Sequence, residues 1–389
     1  KDSGASGDYS TTNKNTATDN VGIGSRAMGG QQGSGSGFNF TAANNTAVGK
    51  DALYKLTTGA SNVAIGSSAL DTNTVGNNNV AIGFESLGGA SGNAFTNHST
   101  IAVGYQAASL LEGGAANGVY IGYRASAADT QNGGNIAIGY NAMEDLNSSN
   151  CTNNLAVGSN AMGNTNVADS NYNVAIGNNA MQGGTQSALC TRNVAIGRGC
   201  LQLTTGTSSN VAIGYLTGYN ATSGSDNIMI GQSVGQTFTT AGKMVLIGSG
   251  DCGNVIAAGQ TDTDGTVAIG YSAINTLTSG QYTTAVGYQS GKFITTADSS
   301  TFIGYQAGQG ITGAKLTGSN NTAVGKDAGL LLQGAAANNT LVGSTAGDAL
   351  TTGSSNVVLG YNAAGAMTDN TANVAVGVNA LTAANAGET

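Results

Sequence analysis

The sequence contains no proline and no tryptophan, and of its 389 residues only 5% are aromatic and 8% are charged. Large side chains fill the core of an ordinary globular domain, so this composition allows only a narrow core of small and β-branched residues. Glycine is abundant instead, with 63 copies. The length alone suggests two or three globular domains, but the composition argues against them.

Long apolar runs are also missing. No stretch of about 18 apolar residues occurs, which excludes a membrane-spanning helix. The first residues, KDSGASGDYS, lack the hydrophobic segment of a signal peptide, so we expect a soluble chain without membrane insertion. The 12 basic and 20 acidic residues give a net charge of −8. Because a phosphate-binding surface needs a basic excess, we expect no nucleic acid partner.

Residues for catalysis and cofactor binding are equally scarce. The single histidine, His98, nearly excludes a nucleophilic triad, because such triads need a histidine base. The four cysteines follow no metal or redox spacing, and we expect them to be small buried residues without an intrachain disulfide. They are Cys151, Cys190, Cys200 and Cys252. We therefore predict a protein that is not an enzyme and has no cofactor and no metal.

A short motif dominates the sequence. It occurs in 20 variants, of which NVAIGSSAL is one. We call the glycine that closes each V-A-I-G-like tetrapeptide the marker glycine. Successive marker glycines are most often 17 residues apart and never closer. They are Gly24, Gly49, Gly66, Gly83, Gly104, Gly122, Gly139, Gly158, Gly177, Gly197, Gly214, Gly231, Gly248, Gly270, Gly287, Gly304, Gly325, Gly343, Gly360 and Gly377.

Three columns before the marker glycine describe a short strand. The residues one and three places before it, the aliphatic columns, are Val, Ile or Leu, with Thr also allowed at the earlier place. Alternate residues of a strand share a face, so we predict that the aliphatic columns form one buried face. The residue between them is Ala in 13 copies and defines the alanine column. We expect this second face to be covered too, with room that varies along the chain.

Further columns predict the corners of each repeat. Asn stands four places before the marker glycine in 14 copies, the asparagine column. Asn tolerates left-handed backbone and hydrogen-bonds neighbouring main chain, so it suits the corner before a strand, where stacked amides can also bond one another. The marker glycine suits a sharp bend or a close backbone approach. Ala three places after it, also in 14 copies, indicates a tight interior corner.

The repeat length distinguishes two solenoid classes. Paired-helix repeats need roughly 33 residues or more, whereas 17 residues rich in Gly, Asn and Thr suit one coil of a β-solenoid. We call one such coil a rung. At about 4.8 Å per rung, 20 rungs would make a rod about 95 Å long. We predict an N-terminal extension over 1–19, a continuous array over 20–381 with an irregular rung near 249–262, and a C-terminal tail over 382–389.

Phrases such as NVAIGSSAL, NVAIGNNAM and NVAVGVNAL resemble the head repeats of trimeric autotransporter adhesins. They are equally similar to the repeats of phage and cyanophage tail-fibre proteins, as in NNTAVGKDALYKLTTGASN. Adhesin heads have repeats nearer 14 residues, so the turns here are wider. The resemblance implies an all-β fold, a left-handed parallel β-roll with three chains around one axis.

A homotrimer also has an independent physical argument. A thin roll with two apolar strand faces cannot cover both by itself, so one face is expected to pack against sister chains. The sequence leaves open which face this is. The aliphatic columns fill the roll while the alanine column meets the trimer axis, or the reverse holds.

One further column has two interpretations. Directly after the marker glycine, aromatic residues occupy the same position on successive rungs. Stacked rings would stabilise neighbouring rungs, and a row of rings would also offer a surface on which sugar faces lie. As glycan or receptor contacts we predict Phe84, Tyr105, Tyr123, Tyr140, Tyr271, Tyr288 and Tyr305. Tyr215 and Tyr361 are isolated members of the same column.

The function predicted from these features is that of an extracellular fibre on a virion or cell surface. It would act in attachment, with a host-surface glycan or receptor as the partner. Four long repeats are predicted to carry surface loops, through GGQQGSGSGFNFTAAN, GGASGNAFTNHS, GDCGNVIAAGQTDTDG and GQGITGAKLTGS. The alternative is a self-assembling extracellular filament subunit that binds no receptor.

Overall fold

A computed structural model of the chain describes residues 17–29, 41–89, 98–111, 117–128, 133–145, 151–164, 169–183, 190–250, 252 and 263–383. It divides into two compact units, Lys1–Arg198 and Gly199–Thr389. The described residues contain no α-helix. The predicted extension over 1–19, the irregular rung near 249–262 and the tail over 382–389 lie largely outside the described residues, so those boundaries stay predictions.

Each unit is a parallel β-solenoid with ten strands, one at every V-A-I-G-like tetrapeptide, as the repeat predicted. In the first unit the strands are β1 Val21–Ile23, β2 Thr46–Val48, β3 Val63–Ile65, β4 Val80–Ile82, β5 Ile101–Val103, β6 Val119–Ile121, β7 Ile136–Ile138, β8 Leu155–Val157, β9 Val174–Ile176 and β10 Val194–Ile196. In the second unit they are β11 Val211–Ile213, β12 Ile228–Ile230, β13 Val245–Ser249, β14 Val267–Tyr271, β15 Thr284–Val286, β16 Thr301–Ile303, β17 Thr322–Val324, β18 Thr340–Val342, β19 Val357–Leu359 and β20 Val374–Val376.

Within a unit, consecutive strands pair in parallel and in register. Between β3 and β4, for example, Val63 lies opposite Val80 and Ala64 opposite Ala81. Each strand residue therefore has its counterpart from the next repeat directly beside it, and the columns of the sequence become columns in space. Outside the strands the same register continues through backbone hydrogen bonds, such as the one from Ser68 N to the Lys50 carbonyl at 2.8 Å.

The marker glycines permit this close stacking. Gly304 has a φ of +138°, a conformation that side chains rarely adopt. A Cβ placed on it would lie 2.7 Å from the carbonyl carbon of Gly325 on the next rung. The same arrangement recurs from rung to rung, for instance between Gly66 and Gly83. Both predicted roles, the bend and the close backbone approach, are confirmed.

The asparagine column forms a buried amide ladder, as predicted. Asn62 Nδ2 donates to Asn45 Oδ1 at 3.0 Å and to the Gly76 carbonyl at 2.8 Å. Asn62 Oδ1 in turn accepts hydrogen bonds from Nδ2 and the backbone N–H of Asn79, both at 3.0 Å. One buried amide thus satisfies four hydrogen bonds, two along the ladder and two to the main chain.

The left-handed residue of this corner is not the asparagine. It is the residue before it, such as Ser61 with φ +58° or Asn78 with φ +59°. That turn points the following asparagine side chain into the interior, where Asn62 is fully buried. The sequence predicts the left-handed conformation at the asparagine itself, because Asn tolerates this conformation. In the structure it lies one residue earlier.

The interior of each unit is lined by the alanine column, and this corrects the predicted orientation of the strands. Ala64 is fully buried, whereas Val63 is half-buried and Ile65 is exposed. The aliphatic columns therefore do not form a buried face within the chain. The reason is space: in nine of the 20 repeats the fourth residue after the marker glycine is Leu or Met, and Leu70, for example, is fully buried opposite Ala64. Of the two orientations that the sequence left open, the structure has the one with Ala inside.

Where the alanine column carries a larger residue, the opposite wall is small. Phe302 in β16 is fully buried, and a Cβ on Gly308 would lie 2.8 Å from its Cγ. Met229 in β12 is matched in the same way by Gly218, where a Cβ would lie 2.9 Å from Cε of Met229. The interior thus keeps its volume by exchanging a large and a small residue across the roll.

Replacing the marker glycine Gly304 by Ala should destabilise the protein by at least about 2 kcal/mol, because the Cβ meets the next rung's backbone in a strained conformation. Gly313→Ala is a matched control nine residues away, where a Cβ meets no atom within 4 Å. Its effect should stay within about 0.5 kcal/mol. Thermal unfolding compares the two variants. Equal unfolding midpoints would show that Gly304 is not required for the close approach of the two rungs.

The volume exchange makes a second prediction. Phe302→Ala alone should lose about 3–5 kcal/mol by opening a cavity. Gly308→Leu alone should also destabilise, because Leu would overlap the Phe302 ring. Combined, the two changes recreate the common rung with Ala inside and Leu opposite, as at Ala64 and Leu70, and should restore most of the stability. A double-mutant cycle measured by chemical unfolding would contradict this packing if the two losses simply added.

Candidate binding surface

The residue after the marker glycine stands just beyond each strand, around the bend from the aliphatic columns. Aromatic residues fill this position in two runs. The first ladder lies in the first unit and consists of Phe84, Tyr105, Tyr123 and Tyr140; the second lies in the second unit and consists of Tyr271, Tyr288 and Tyr305. The seven residues predicted as contacts therefore lie on two separate ladders.

Rings within each ladder are stacked. In the first ladder, ring centroids are 5.4 Å apart between Phe84 and Tyr105, and 5.2 Å apart at the two following steps. In the second ladder the distances are 5.2 and 5.3 Å. No pair of rings is inclined by more than 14°. This confirms the stabilising stack that the sequence predicted, because neighbouring rungs hold their rings at stacking distance.

Stacking also limits what the ladders offer to a ligand. A ring inside a ladder has a neighbour on each face, so it presents mainly its edge and hydroxyl to solvent. Tyr105 and Tyr123, both inside the first ladder, are each 44% exposed, whereas Tyr140 at its end is 54% exposed. Within a ladder, a ring face without a stacked neighbour is therefore found at the end and not in the middle. Stacking of a sugar on a ring face is therefore restricted to the end rings of each ladder, and glycan contact stays a prediction.

Polar side chains border the ladders on the next column. Gln106 Nε2 donates to Glu85 Oε2 at 2.8 Å, and Arg124 Nη2 lies 3.0 Å from Glu144 Oε1. Beside the second ladder, Gln289 Oε1 accepts from Gln306 Nε2 at 3.1 Å. Amides and paired charges next to rings provide both donors and acceptors for a polar ligand.

The aliphatic columns form a second candidate surface, which we call the apolar stripe. It consists of the outward Val, Ile, Leu and Thr residues of consecutive strands. Members that are exposed include Val21, Ile23, Ile65, Ile82, Ile101, Ile121, Ile136, Ile228, Ile230, Ile303, Val357, Leu359, Val374 and Val376. The sequence left open whether this face or the alanine face lies outside the chain. The signal was the alternation itself, because a face made only of Ala marks the narrower side.

Of the predicted surface loops, the one through GQGITGAKLTGS is described. Ile311 and Ala314 pair as an antiparallel bridge at its tip, and Ile311 is exposed. Leu316 is buried and pairs with Ile294 and Gly334 on the adjacent rungs, which anchors the loop. This loop is a surface loop, as predicted. The other three lie largely outside the described residues.

Titratable groups form no obvious reaction centre within the described ranges. Burial raises the pKa of Asp71 to about 6, with smaller contributions from the negative charges of Glu85 and Asp51 and an opposing one from Lys55. Burial also raises the pKa of the Cys252 thiol to about 12. His98 Nδ1 accepts a hydrogen bond from the Asn77 backbone at 3.0 Å.

The four cysteines are buried thiols, as predicted. Within the described part of the chain, no three His, Cys, Asp or Glu side chains lie together as a metal site would require. No helix long and apolar enough to span a membrane is found among the described residues. No protein-family model matches the sequence, and neither a curated protein nor a solved structure is significantly similar to it.

Removing a ring from inside the first ladder should reduce stability. Tyr123→Ser deletes two stacked pairs, each worth about 0.5–1.5 kcal/mol, and Ser already occupies this column at Ser67 and Ser159. Tyr361→Ser removes an isolated ring and should cost less than about 0.5 kcal/mol. The comparison is made by thermal unfolding. A ladder that contributes nothing would show equal midpoints for the two variants.

Proposed function

We propose that the chain is a structural fibre protein, an elongated homotrimeric left-handed β-roll on the outside of a virion or cell that acts in attachment. The observation that carries this proposal is the apolar stripe. Each unit stacks ten short strands in register and leaves the aliphatic side chains outside, so the chain by itself is incompletely covered.

The apolar stripe differs from ordinary exposed hydrophobic residues. Single exposed Val or Ile side chains are normal on soluble proteins, whereas a contiguous apolar surface marks an interface. Here two adjacent columns repeat on every strand of a unit, with Ile65 of β3 beside Ile82 of β4. Water contact along such a surface is unfavourable, and burying it stabilises an assembly by about 25 cal/mol per Å².

A copy of the same chain is the partner that fits best. The stripe repeats with the period of the rungs, and another copy carries an apolar surface with the same period. Few charges interrupt it, because only 8% of the residues are charged. Closed symmetric association is the usual form of such self-contact. The number three and the left hand of the roll rest on the resemblance to trimeric adhesin heads and tail-fibre repeats.

The length of each unit and the direction of its stacking interactions support a fibre. Nine steps of about 4.8 Å give each ten-strand unit a length of about 43 Å between its first and last strands. Backbone hydrogen bonds, the asparagine ladder and the aromatic ladders all run in that direction. The extracellular location follows from the resemblance. Attachment would use the aromatic column or the exposed loop at Ile311, with a host-surface glycan or receptor as the partner.

Sedimentation analysis tests the assembly. The purified chain should have three times the 38.0 kDa mass of one chain. Ile65→Glu places a charge in the apolar stripe and should lower the mass towards one chain, while circular dichroism still shows β structure. Ser67→Glu is the matched control, two residues further on in the same rung but in the aromatic column, and should leave the assembly intact.

Three outcomes of this experiment have different meanings. A wild-type protein with the mass of a single chain would refute the homotrimer. Open-ended fibres seen by electron microscopy would favour the filament subunit over the attachment fibre. Loss of assembly in both Glu variants would show that the apolar stripe is not the interface.

A further inference from the structure

Tyr140 ends the first ladder with an open ring face. One face stacks on Tyr123, with centroids 5.2 Å apart and planes inclined by 7°. On the next rung the same column holds Ser159, which has no ring to cover the other face. Among the described residues, no ring or cation lies over that face. Tyr140 is 54% exposed, against 44% for Tyr123 and 42% for Phe84 at the other end of the ladder, so Tyr140 is the more exposed of the two ends.

The second ladder lacks such an opening. At its beginning, Gly250 packs against the ring of Tyr271, and a Cβ on Gly250 would lie 2.9 Å from Cδ2 of that ring. At its end, Lys326 Nζ lies 5.7 Å from the centroid of the Tyr305 ring and covers it as a cation–π contact. Tyr140 and Tyr305 are thus equivalent residues that differ in their neighbour on the next rung, Ser159 in one case and Lys326 in the other.

Polar residues flank Tyr140 on its own rung and on both neighbouring rungs. Arg124 and Glu144 form an ion pair at 3.0 Å, so their charges balance. Asn141 comes directly after Tyr140, and Asn160 lies one rung further on, where its backbone N–H donates to the Tyr140 carbonyl at 2.9 Å. Both residues are half-buried; Asn160 Nδ2 donates to Asn179 Oδ1 at 3.4 Å, and Asn141 Oδ1 is enclosed. A rigid ring beside amides, without net charge, suits a neutral ligand with one apolar face and several hydroxyl groups.

We infer that Tyr140 is the platform of a glycan-binding site, on which one neutral hexopyranose unit stacks its C–H face while its hydroxyl groups bond to neighbouring polar side chains. This inference rests on the proposed attachment function and assigns the contact to one ladder end. The ring is held in place by Tyr123 beneath it, so little side-chain freedom is lost on binding.

Saturation-transfer difference NMR tests the site on the full-length protein, because a single stacked sugar binds weakly. The probes are methyl β-D-galactopyranoside and methyl β-D-glucopyranoside. The wild type should transfer saturation to the ring protons of at least one probe. Tyr140→Ser should reduce this signal at least fivefold, and Tyr305→Ser, at the covered end, should leave it unchanged.

Two further variants keep both tyrosines and change only the cover. Ser159→Lys copies the arrangement at Tyr305 and should abolish the signal. Lys326→Ser uncovers Tyr305 and should increase the signal. Thermal unfolding confirms that each variant is folded.

The outcomes separate this inference from the proposed function. A wild type that binds neither probe, or a signal that survives both Tyr140→Ser and Ser159→Lys, would overturn the site. If the chain is trimeric and the site variants change nothing, the fibre remains and the assignment to Tyr140 fails. If the chain is monomeric yet the Tyr140 variants lose binding, the site stands without the trimer.

Discussion

Contact between successive marker glycines is the constraint on which the rest of the structure depends. Without a Cβ, Gly66 can lie directly against the backbone of Gly83, and the two rungs come into register there. Register at the bend fixes register along the strand, because strands of three residues have little pairing of their own. The asparagine ladder and the aromatic ladders both result from this register. In the first, Asn62 Nδ2 lies 3.0 Å from Asn45 Oδ1; in the second, neighbouring ring centroids are 5.2–5.4 Å apart. Side chains that would contribute little in a single rung stabilise one another when the rungs stack.

A narrow interior is the second consequence. The walls are close enough that Leu or Met on one side leaves room for Ala on the other, as at Leu70 and Ala64, and a larger residue such as Phe302 lies opposite a small one, here Gly308. A core this thin leaves no room inside for the aliphatic side chains beside each Ala. They therefore face outward, and the chain gains a continuous apolar surface from the same geometry that forms its core. In the proposed assembly, the geometry that forms the core of the chain also forms its interface.

Much of this architecture could be predicted from the repeat. The spacing identified the β-solenoid, the position of every strand, the interior corner at Ala69 and the buried amide of Asn62. Two features could not be predicted. Periodicity shows which residues share a face but not which face is inside, so the side of the strand on which Ile65 lies stayed open. A column of tyrosines likewise does not reveal ring orientation, so the open face of Tyr140 became visible only when stacking left the ladder ends exposed.

The central claim is that the alanine column fills each chain and the aliphatic columns lie between chains. Electron cryomicroscopy of the assembled protein, at a resolution that shows side chains, tests it most directly. Our account predicts three chains around one axis, with Ala64 and its equivalents inside each chain and Ile65 and its equivalents against a neighbouring chain. Density in which the aliphatic columns face solvent, or in which they fill the interior while the alanine column faces outward, would contradict it.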